Sequence, residues 1–130
     1  MEQRITIDAH ALIWYADNDS NVLLSQLALN AIEQAEAKGI IYVPIIALFE
    51  IMRLIEKGKY PIAFDQLKDT LRNSNAFKII PFDFEILESS EKLKTLELHD
   101  RTIVATALVK DTVLVSMDRL IAKAYNRTIW

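Results

Sequence analysis

Hydrophobic and polar positions along the chain form two kinds of segment. Short continuous runs of apolar residues have the length of buried strands, and the longer segments between them carry apolar residues at helical spacing. Strands that alternate with helices are typical of a mostly parallel sheet covered on both faces. The predicted strands are residues 5–7, 40–43, 77–80 and 112–116, with a short fifth strand at 127–130.

Capping and helix-breaking residues between these strands predict where the helices begin and end. The segment at 46–57 is apolar almost all round, so we expect it to be buried on two sides, either between the core and a partner chain or deep within the monomer. The predicted helices are one opening near residue 12, then 25–38 between Ser25 and Gly39, 46–57 before Gly58, 62–72 with Pro61 in its first turn, 83–96 capped by Asp83, about 100–108, and 120–125.

Composition limits the class of protein. A chain of 130 residues with 52% hydrophobic residues can bury one full core, so we expect a single domain over residues 1–130. There are no cysteines, which excludes disulfides and thiolate metal sites and is compatible with a reducing cytoplasm. The longest apolar run, residues 40–49, is too short to span a bilayer, so no membrane association is expected.

The net charge of −3 bears on function. A protein that binds nucleic acid through its overall charge usually has a basic excess, because neutralising phosphates supplies most non-specific affinity. Either nucleic acid is not the substrate, or it is held locally with bound cations reversing the sign of an acidic site.

Four carboxylates occupy comparable positions. Asp8 follows the first strand, Asp118 follows the fourth, and Glu50 lies one turn into the helix after the second. Because parallel strands point their carboxyl ends the same way, these three acids are expected at one rim of the sheet. Asp100, at a predicted helix start, joins them if its helix points its N-terminus toward that rim.

Each acid also has a purely structural interpretation. Asp8, Asp100 and Asp118 are all suited to cap a helix. Glu50 lies on a largely apolar face, where Arg53 offers an ion pair one turn on. If these roles explain all four acids, the protein is a non-catalytic binding module.

A functional interpretation of the same acids is a metal site. Clustered carboxylates repel one another and raise one another's pKa unless a cation lies among them. Oxygen ligands without a His or Cys set favour Mg²⁺ or Mn²⁺ over zinc. Such a cluster serves phosphoryl transfer, in which metal-activated water attacks a phosphodiester.

Five further residues lie next to these acids in the sequence. Ser116 is suited to hydrogen-bond a carboxylate or water at the rim, and His10 to orient substrate, although both also suit purely structural roles. His99 is expected to be a loop residue before a helix. Arg101 and Arg119 are either phosphate contacts or solvated helix charges.

In four segments the sequence resembles the PIN-domain ribonucleases, and within them the VapC-type toxins of toxin–antitoxin pairs. The segments occur in family order and spacing and are residues 7–14, 48–51, 99–107 and 115–118. The resemblance implies an α/β/α sandwich, Mg²⁺- or Mn²⁺-dependent cleavage of RNA, a homodimer and a cognate antitoxin. It places the family's acidic quartet on Asp8, Glu50, Asp100 and Asp118, and its hydroxyl residue on Ser116.

The chain departs from the family pattern at two positions. Ala9 and Ala47 stand where members often carry hydroxyl residues, and the loss at Ala47 removes a helix cap and a donor near Glu50. Because all four acids remain, we expect an active enzyme. A DNA nuclease on the same fold is a less favoured alternative, because the chain lacks room for the extra helices such an enzyme would need.

Overall fold

The computed structural model describes residues 3–17 and 19–130, and its centre is a sheet in which every pair of neighbouring strands is parallel. The strand order is β3-β2-β1-β4-β5. The predicted α/β class and parallel sheet are therefore confirmed, including the short fifth strand. The strands are Arg4–Ile7 (β1), Ile40–Pro44 (β2), Phe77–Ile80 (β3), Val113–Val115 (β4) and Thr128–Ile129 (β5).

Helices flank the sheet in an α/β/α sandwich, as the family resemblance implied. None of the helices in the described ranges is both long and apolar enough to cross a bilayer. The α-helices are Ala9–Ala16 (α1), Gln26–Lys38 (α2), Ile45–Glu56 (α3), Phe64–Asn73 (α4), Phe84–Ser90 (α5), Leu98–Lys110 (α6) and Arg119–Ala124 (α7), and a 3₁₀ turn lies at Asn21–Leu23.

Two predicted helix boundaries are wrong. Helix α4 begins at Phe64, so Pro61 lies outside it. Its position is determined by Leu67 and Leu71, which are buried, and no side chain caps its start. Helix α5 ends at Ser90, well before residue 96, since Ile86 is its one buried side chain and a second buried turn is lacking. Turns cover the polar residues that follow.

Helix α3 divides its apolar residues between the core and the surface. Ala47, Leu48 and Ile51 are buried, whereas the Phe49 side chain is 59% exposed. The monomer therefore does not enclose this helix, so the alternative of deep burial within the monomer is wrong, and contact with a partner chain stays a prediction. One apolar side remains open to solvent.

The strand order places a crevice beside the central strand. From β1 the chain moves outward through β2 to β3, and then returns to the other side of β1 to form β4. Ligands of open α/β sheets bind where the order reverses in this way, outside the carboxyl ends of the strands. The register pairs Ile7 with Val115, so the next residues, Asp8 and Ser116, emerge side by side at that crevice.

Candidate active site

Asp8 is held from two sides at the end of β1. Its Oδ1 accepts a hydrogen bond from the backbone N–H of Ala9 at 2.7 Å, and its Oδ2 accepts one from Ser116 Oγ at 2.6 Å. Burial raises the pKa of Asp8 above its usual value, and these two hydrogen bonds oppose the shift. Asp8 thus caps α1, as its structural interpretation predicted, and also faces the crevice.

Ser116 connects Asp8 to the loop that carries Asp118. Its hydroxyl accepts a hydrogen bond from the Asp118 backbone N–H at 3.1 Å while donating to Asp8. Asp118 caps α7 through Oδ1 alone, which accepts bonds from the N–H groups of Leu120 at 2.8 Å and Ile121 at 3.1 Å. The cap therefore occupies one of the two carboxylate oxygens of Asp118.

Glu50 and Asp100 have no such structural role. Glu50 lies in the second turn of α3, and Asp100 lies in the first turn of α6, where Glu97 is the cap. Across residues 3–17 and 19–130, neither carboxylate accepts a hydrogen bond from the protein, and Arg53 makes no ion pair with Glu50. The cap interpretation of Asp100 and the ion-pair interpretation of Glu50 are both wrong.

The pKa values of these acids depend on one another's charge. Burial, followed by the charges of Asp8 and Glu97, raises the pKa of Glu50 to about 7. Burial, followed by the charges of Glu97, Asp118, Asp8 and Glu50, raises the pKa of Asp100 to about 7. The structure therefore brings the four predicted acids, which we call the acid cluster, within reach of one another's charge.

Glu97 is a fifth carboxylate at this site that the sequence analysis missed. Its Oε1 accepts a hydrogen bond from the Asp100 N–H at 2.9 Å, so it sets the start of α6 beside the acid cluster. Glu is not among the residues that most often cap helices, which favoured Asp100 as the predicted start. The spacing of three residues from Glu97 to Asp100 is the signal that identifies the cap.

The histidines and arginines next to the acids have different surroundings. His10 and His99 line a groove that leads away from the acid cluster. His99 lies in the first turn of α6, so its predicted position in a loop before the helix is wrong. Arg119 lies in a shallow depression with Ser116 and Asp118, beside the site.

Arg101 does not belong to this group. Its guanidinium donates to the backbone carbonyl oxygens of Leu96 at 2.8 Å and Lys94 at 3.4 Å. It stabilises the turn before α6, so neither predicted alternative, a phosphate contact or a solvated helix charge, describes Arg101.

The donor set suits a hard divalent cation. All four side chains of the acid cluster offer carboxylate oxygens, and Glu50 and Asp100 are half-buried without a partner from the described protein atoms. Their raised pKa values reflect a charge that a cation would neutralise. In the described ranges, no three His, Asp or Glu side chains stand close enough together to hold an ion.

Removing the Ser116 hydroxyl tests how Asp8 is held. In Ser116→Ala we expect the pKa of Asp8 to rise further and the free energy of unfolding to fall by about 1–3 kcal/mol, because a buried carboxylate loses its donor. NMR titration of the side-chain carboxyl carbons and urea denaturation measure the two effects. The control is Ser25→Ala, which removes the hydroxyl that caps α2 and should leave Asp8 unchanged. An unaltered Asp8 titration in Ser116→Ala would contradict this interpretation.

Three solved structures have a fold similar to that of this chain. The chain is similar in structure to a toxin–antitoxin complex from Klebsiella pneumoniae, with 22% identity, a TM-score of 0.66, and 97% of this chain and 96% of that chain covered. It is also similar to VapBC2 from Rickettsia felis bound to a DNA fragment from its promoter, with 16% identity, a TM-score of 0.71 and the same coverage of both chains. A third similar structure is PAE2754 from Pyrobaculum aerophilum, with 19% identity, a TM-score of 0.62, and 99% and 91% covered.

These likenesses establish the fold. No curated protein sequence matches the chain significantly. The PIN domain model, in contrast, matches residues 5–126. PIN domains are generally nucleases that use divalent metals. The match contains every residue of the acid cluster and confirms the family resemblance, so the chain belongs to the PIN domain family.

Proposed function

We propose that this protein is a divalent-metal-dependent endoribonuclease and the toxin of a toxin–antitoxin pair. The observation that carries the proposal is the acid cluster, in which four carboxylates from different parts of the chain lie within reach of one another's charge. Two of them have pKa values of about 7 and no partner among the described residues. Perturbed carboxyl groups in a cleft are typical of catalytic and metal sites.

Asp8, Glu50, Asp100 and Asp118 are the residues that would hold Mg²⁺ or Mn²⁺. When bound, the cation supplies activated water and stabilises the charge that develops on the phosphodiester. The chain's contribution is to hold Asp8 and Asp118 in place, through Ser116 and the helix caps, before the substrate arrives. Glu50 either completes the ligand set or orients the attacking water.

Ser116 acts through the acids rather than on the substrate. It fixes Asp8 through its hydroxyl proton and fixes the Asp118 backbone through its oxygen lone pair. A partner that orients a ligating carboxylate typically changes metal affinity by about 10- to 100-fold when removed. Ser116 is therefore a positioning residue.

The binding-module alternative explains two of the four acids. Asp8 and Asp118 cap helices, and that role alone would account for their positions. It leaves Glu50 and Asp100 unexplained, because a half-buried carboxylate without a partner costs stability and caps nothing in the described chain. A catalytic site accounts for that cost.

The choice of RNA and of an antitoxin partner is supported by the resemblance to VapC-type toxins and by the toxin–antitoxin complexes among the similar structures. We also propose a homodimer, which the resemblance to VapC-type toxins supports. A cytoplasmic location agrees with an RNA substrate and the cysteine-free sequence.

The proton affinity of Glu50 and Asp100 predicts how metal binding depends on pH. Both carboxyls, with pKa values of about 7, are mostly protonated at pH 6 and mostly ionised at pH 8. Since the cation binds the ionised forms, lowering the pH from 8 to 6 should weaken Mg²⁺ binding by about tenfold for each carboxyl. At pH 7, binding should release about one proton in total.

Calorimetry in two buffers of different ionisation enthalpy measures both the affinity and the proton release. In Asp100→Asn the number of protons released should fall by about half, because only the Glu50 carboxyl still has a proton for the cation to displace. Constant affinity from pH 6 to pH 8, with no proton release, would show that these carboxyls do not face the cation.

The activity itself is tested with labelled single-stranded RNA and single-stranded DNA of the same sequence, incubated with the protein and Mg²⁺ or Mn²⁺. Cleavage of the RNA with little cleavage of the DNA supports the proposal. Preference for the DNA would favour the DNA-nuclease alternative, and cleavage of neither would favour the binding module.

A further inference from the structure

A groove of about 430 Å³ leads from the acid cluster along α3, and we call it the α3 groove. One wall is the side of α3 that carries Phe49, Arg53 and Lys57, which are spaced by four residues and so share one face. The opposite wall is the start of α6. Its lining residues are His10, Phe49, Glu50, Arg53, Leu54, Lys57, Glu97, His99 and Asp100.

The charge along this groove changes sign with distance from the site. Glu50, Asp100 and Glu97 lie at the end near the acid cluster, whereas Arg53 and Lys57 lie one and two turns further along α3. Both cationic side chains are exposed, and within the described ranges neither forms an ion pair. In an acidic protein, these two cations form a local basic path that ends at the candidate metal site.

Phe49 gives the same groove an exposed aromatic face. Its side chain is 59% exposed although the ring would be better buried, and it is the neighbour of Glu50 in the sequence. Nucleotide bases stack on such rings without regard to sequence, and cationic side chains beside them contact the phosphates. An aromatic ring followed by two cations therefore matches the chemistry of a polynucleotide strand.

We propose that the α3 groove binds the single-stranded RNA next to the scissile phosphate, with a base on Phe49 and the following phosphates on Arg53 and Lys57. This inference rests on the proposed function, in which the acid cluster cuts the phosphodiester. Positions 49, 53 and 57 are each about 6 Å apart along the helix axis, so one extended strand can contact all three in turn. The helix therefore holds the three contact positions at fixed distances from one another.

The two cations also have a structural explanation, which predicts a different result for RNA binding. Arg53 lies in the last turn of α3 and Lys57 is its C-terminal cap, where positive charge favourably meets the helix dipole. That role affects thermal stability and has no effect on RNA binding. It also gives no reason for the exposed ring of Phe49.

The test is the binding of a labelled single-stranded RNA, followed by fluorescence anisotropy over a range of salt concentrations with Mg²⁺ present. All variants carry Asp8→Asn, which the proposed function expects to leave the RNA uncut. The double variant Arg53→Ala/Lys57→Ala is compared with Lys38→Ala/Lys123→Ala. These two control lysines are exposed and end helices α2 and α7, at the opposite end of the sheet.

We expect the double substitution Arg53→Ala/Lys57→Ala to weaken RNA binding by about tenfold or more. The slope of log affinity against log salt should become shallower by about 1.4, because each phosphate contact on a single strand contributes about 0.7. The control pair should stay within about twofold of the parent. Equal effects of the two pairs, or none, would overturn the proposal.

Phe49 provides the second arm of the same test. Phe49→Leu keeps an apolar side chain but removes the π face, so RNA binding should weaken by about fivefold or more, while Phe49→Tyr should restore it. If the leucine and tyrosine variants bind alike, no base stacks on this residue and the proposal fails in this part.

Cleavage by the unmodified protein separates the two proposals. If the unmodified protein cuts RNA but the Arg53→Ala/Lys57→Ala variant binds RNA normally, the α3 groove proposal is wrong and the nuclease proposal stands. If the unmodified protein cuts no RNA but this variant binds RNA more weakly than the control variant, the groove stands as a binding surface and the nuclease proposal is wrong.

Discussion

Asp100→Asn is expected to lower the rate of RNA cleavage by about 10²- to 10³-fold, the usual cost of removing one electrostatic element from a catalytic site. The substitution keeps the size of the side chain. It removes a negative charge that is destabilised by burial and by the charges of Glu97 and the other acids of the cluster. Since Glu97 is the cap of α6, the start of the helix keeps its hydrogen bond.

The same variant should not lose stability without metal. The pKa of Asp100 is about 7 in the folded protein and near its ordinary value when unfolded, so the folded state binds more protons between these values. Its contribution to stability therefore decreases as the pH rises toward 7, and above that the ionised carboxylate is destabilising. At pH 7.5 we expect Asp100→Asn to melt at the same or a higher temperature than the parent.

Asp65→Asn is the matched control. Asp65 is also an acid in the first turn of a helix, α4, and it is exposed and paired with Lys68 at 3.0 Å. Its replacement should leave cleavage within about twofold. Equal losses in the two variants, or an Asp100→Asn protein that cleaves normally, would remove Asp100 from the site.

Gly39→Ala is expected to lower the free energy of unfolding by about 3 kcal/mol or more, the upper range for forcing atoms into a packed region. A Cβ at Gly39 would lie 1.5 Å from the carbonyl oxygen of Gln3. That oxygen also accepts a hydrogen bond from the Ile40 N–H at 2.8 Å, at the start of the pairing of β1 with β2. The methyl group therefore has to separate the two strands.

Gly58→Ala shows what backbone strain alone costs. Gly58 has a φ of +74° and no atom within 4 Å of an added Cβ, so the expected loss is about 1–2 kcal/mol. Urea denaturation of both variants gives the comparison. A loss in Gly39→Ala no larger than that in Gly58→Ala would mean that the strands accommodate the methyl group easily.

The architecture could be predicted largely from the apolar runs. Residues such as Ile7, Ile41 and Leu114 are buried on a sheet covered from both sides, and continuous apolar segments of strand length indicate that setting. Helix boundaries were harder to predict. The position of α4 depends on the burial of Leu67 and Leu71 in the core, and Pro61 does not determine where the helix begins. Such boundaries depend on tertiary packing, which no local pattern encodes.

The candidate site shows the same division. Asp8 directly follows β1 and Asp118 lies three residues after β4, so parallel pairing predicts both acids at the same end of the sheet. The role of Asp100 depended on a shift of a few residues in the start of α6, which made Glu97 the cap and left the Asp100 carboxylate without one. The exposure of Phe49 was equally hidden, since an apolar helix gives no sign of which side the monomer leaves open.

The proposed metal site is tested most directly by RNA cleavage with protein stripped of metal with a chelator, dialysed, and then supplied with Mg²⁺ or Mn²⁺. We expect no cleavage by the stripped protein and full recovery on adding either ion, with circular dichroism unchanged throughout. Cleavage that persists without metal would contradict the metal site, and a folded protein that cuts no RNA with either ion would contradict the nuclease.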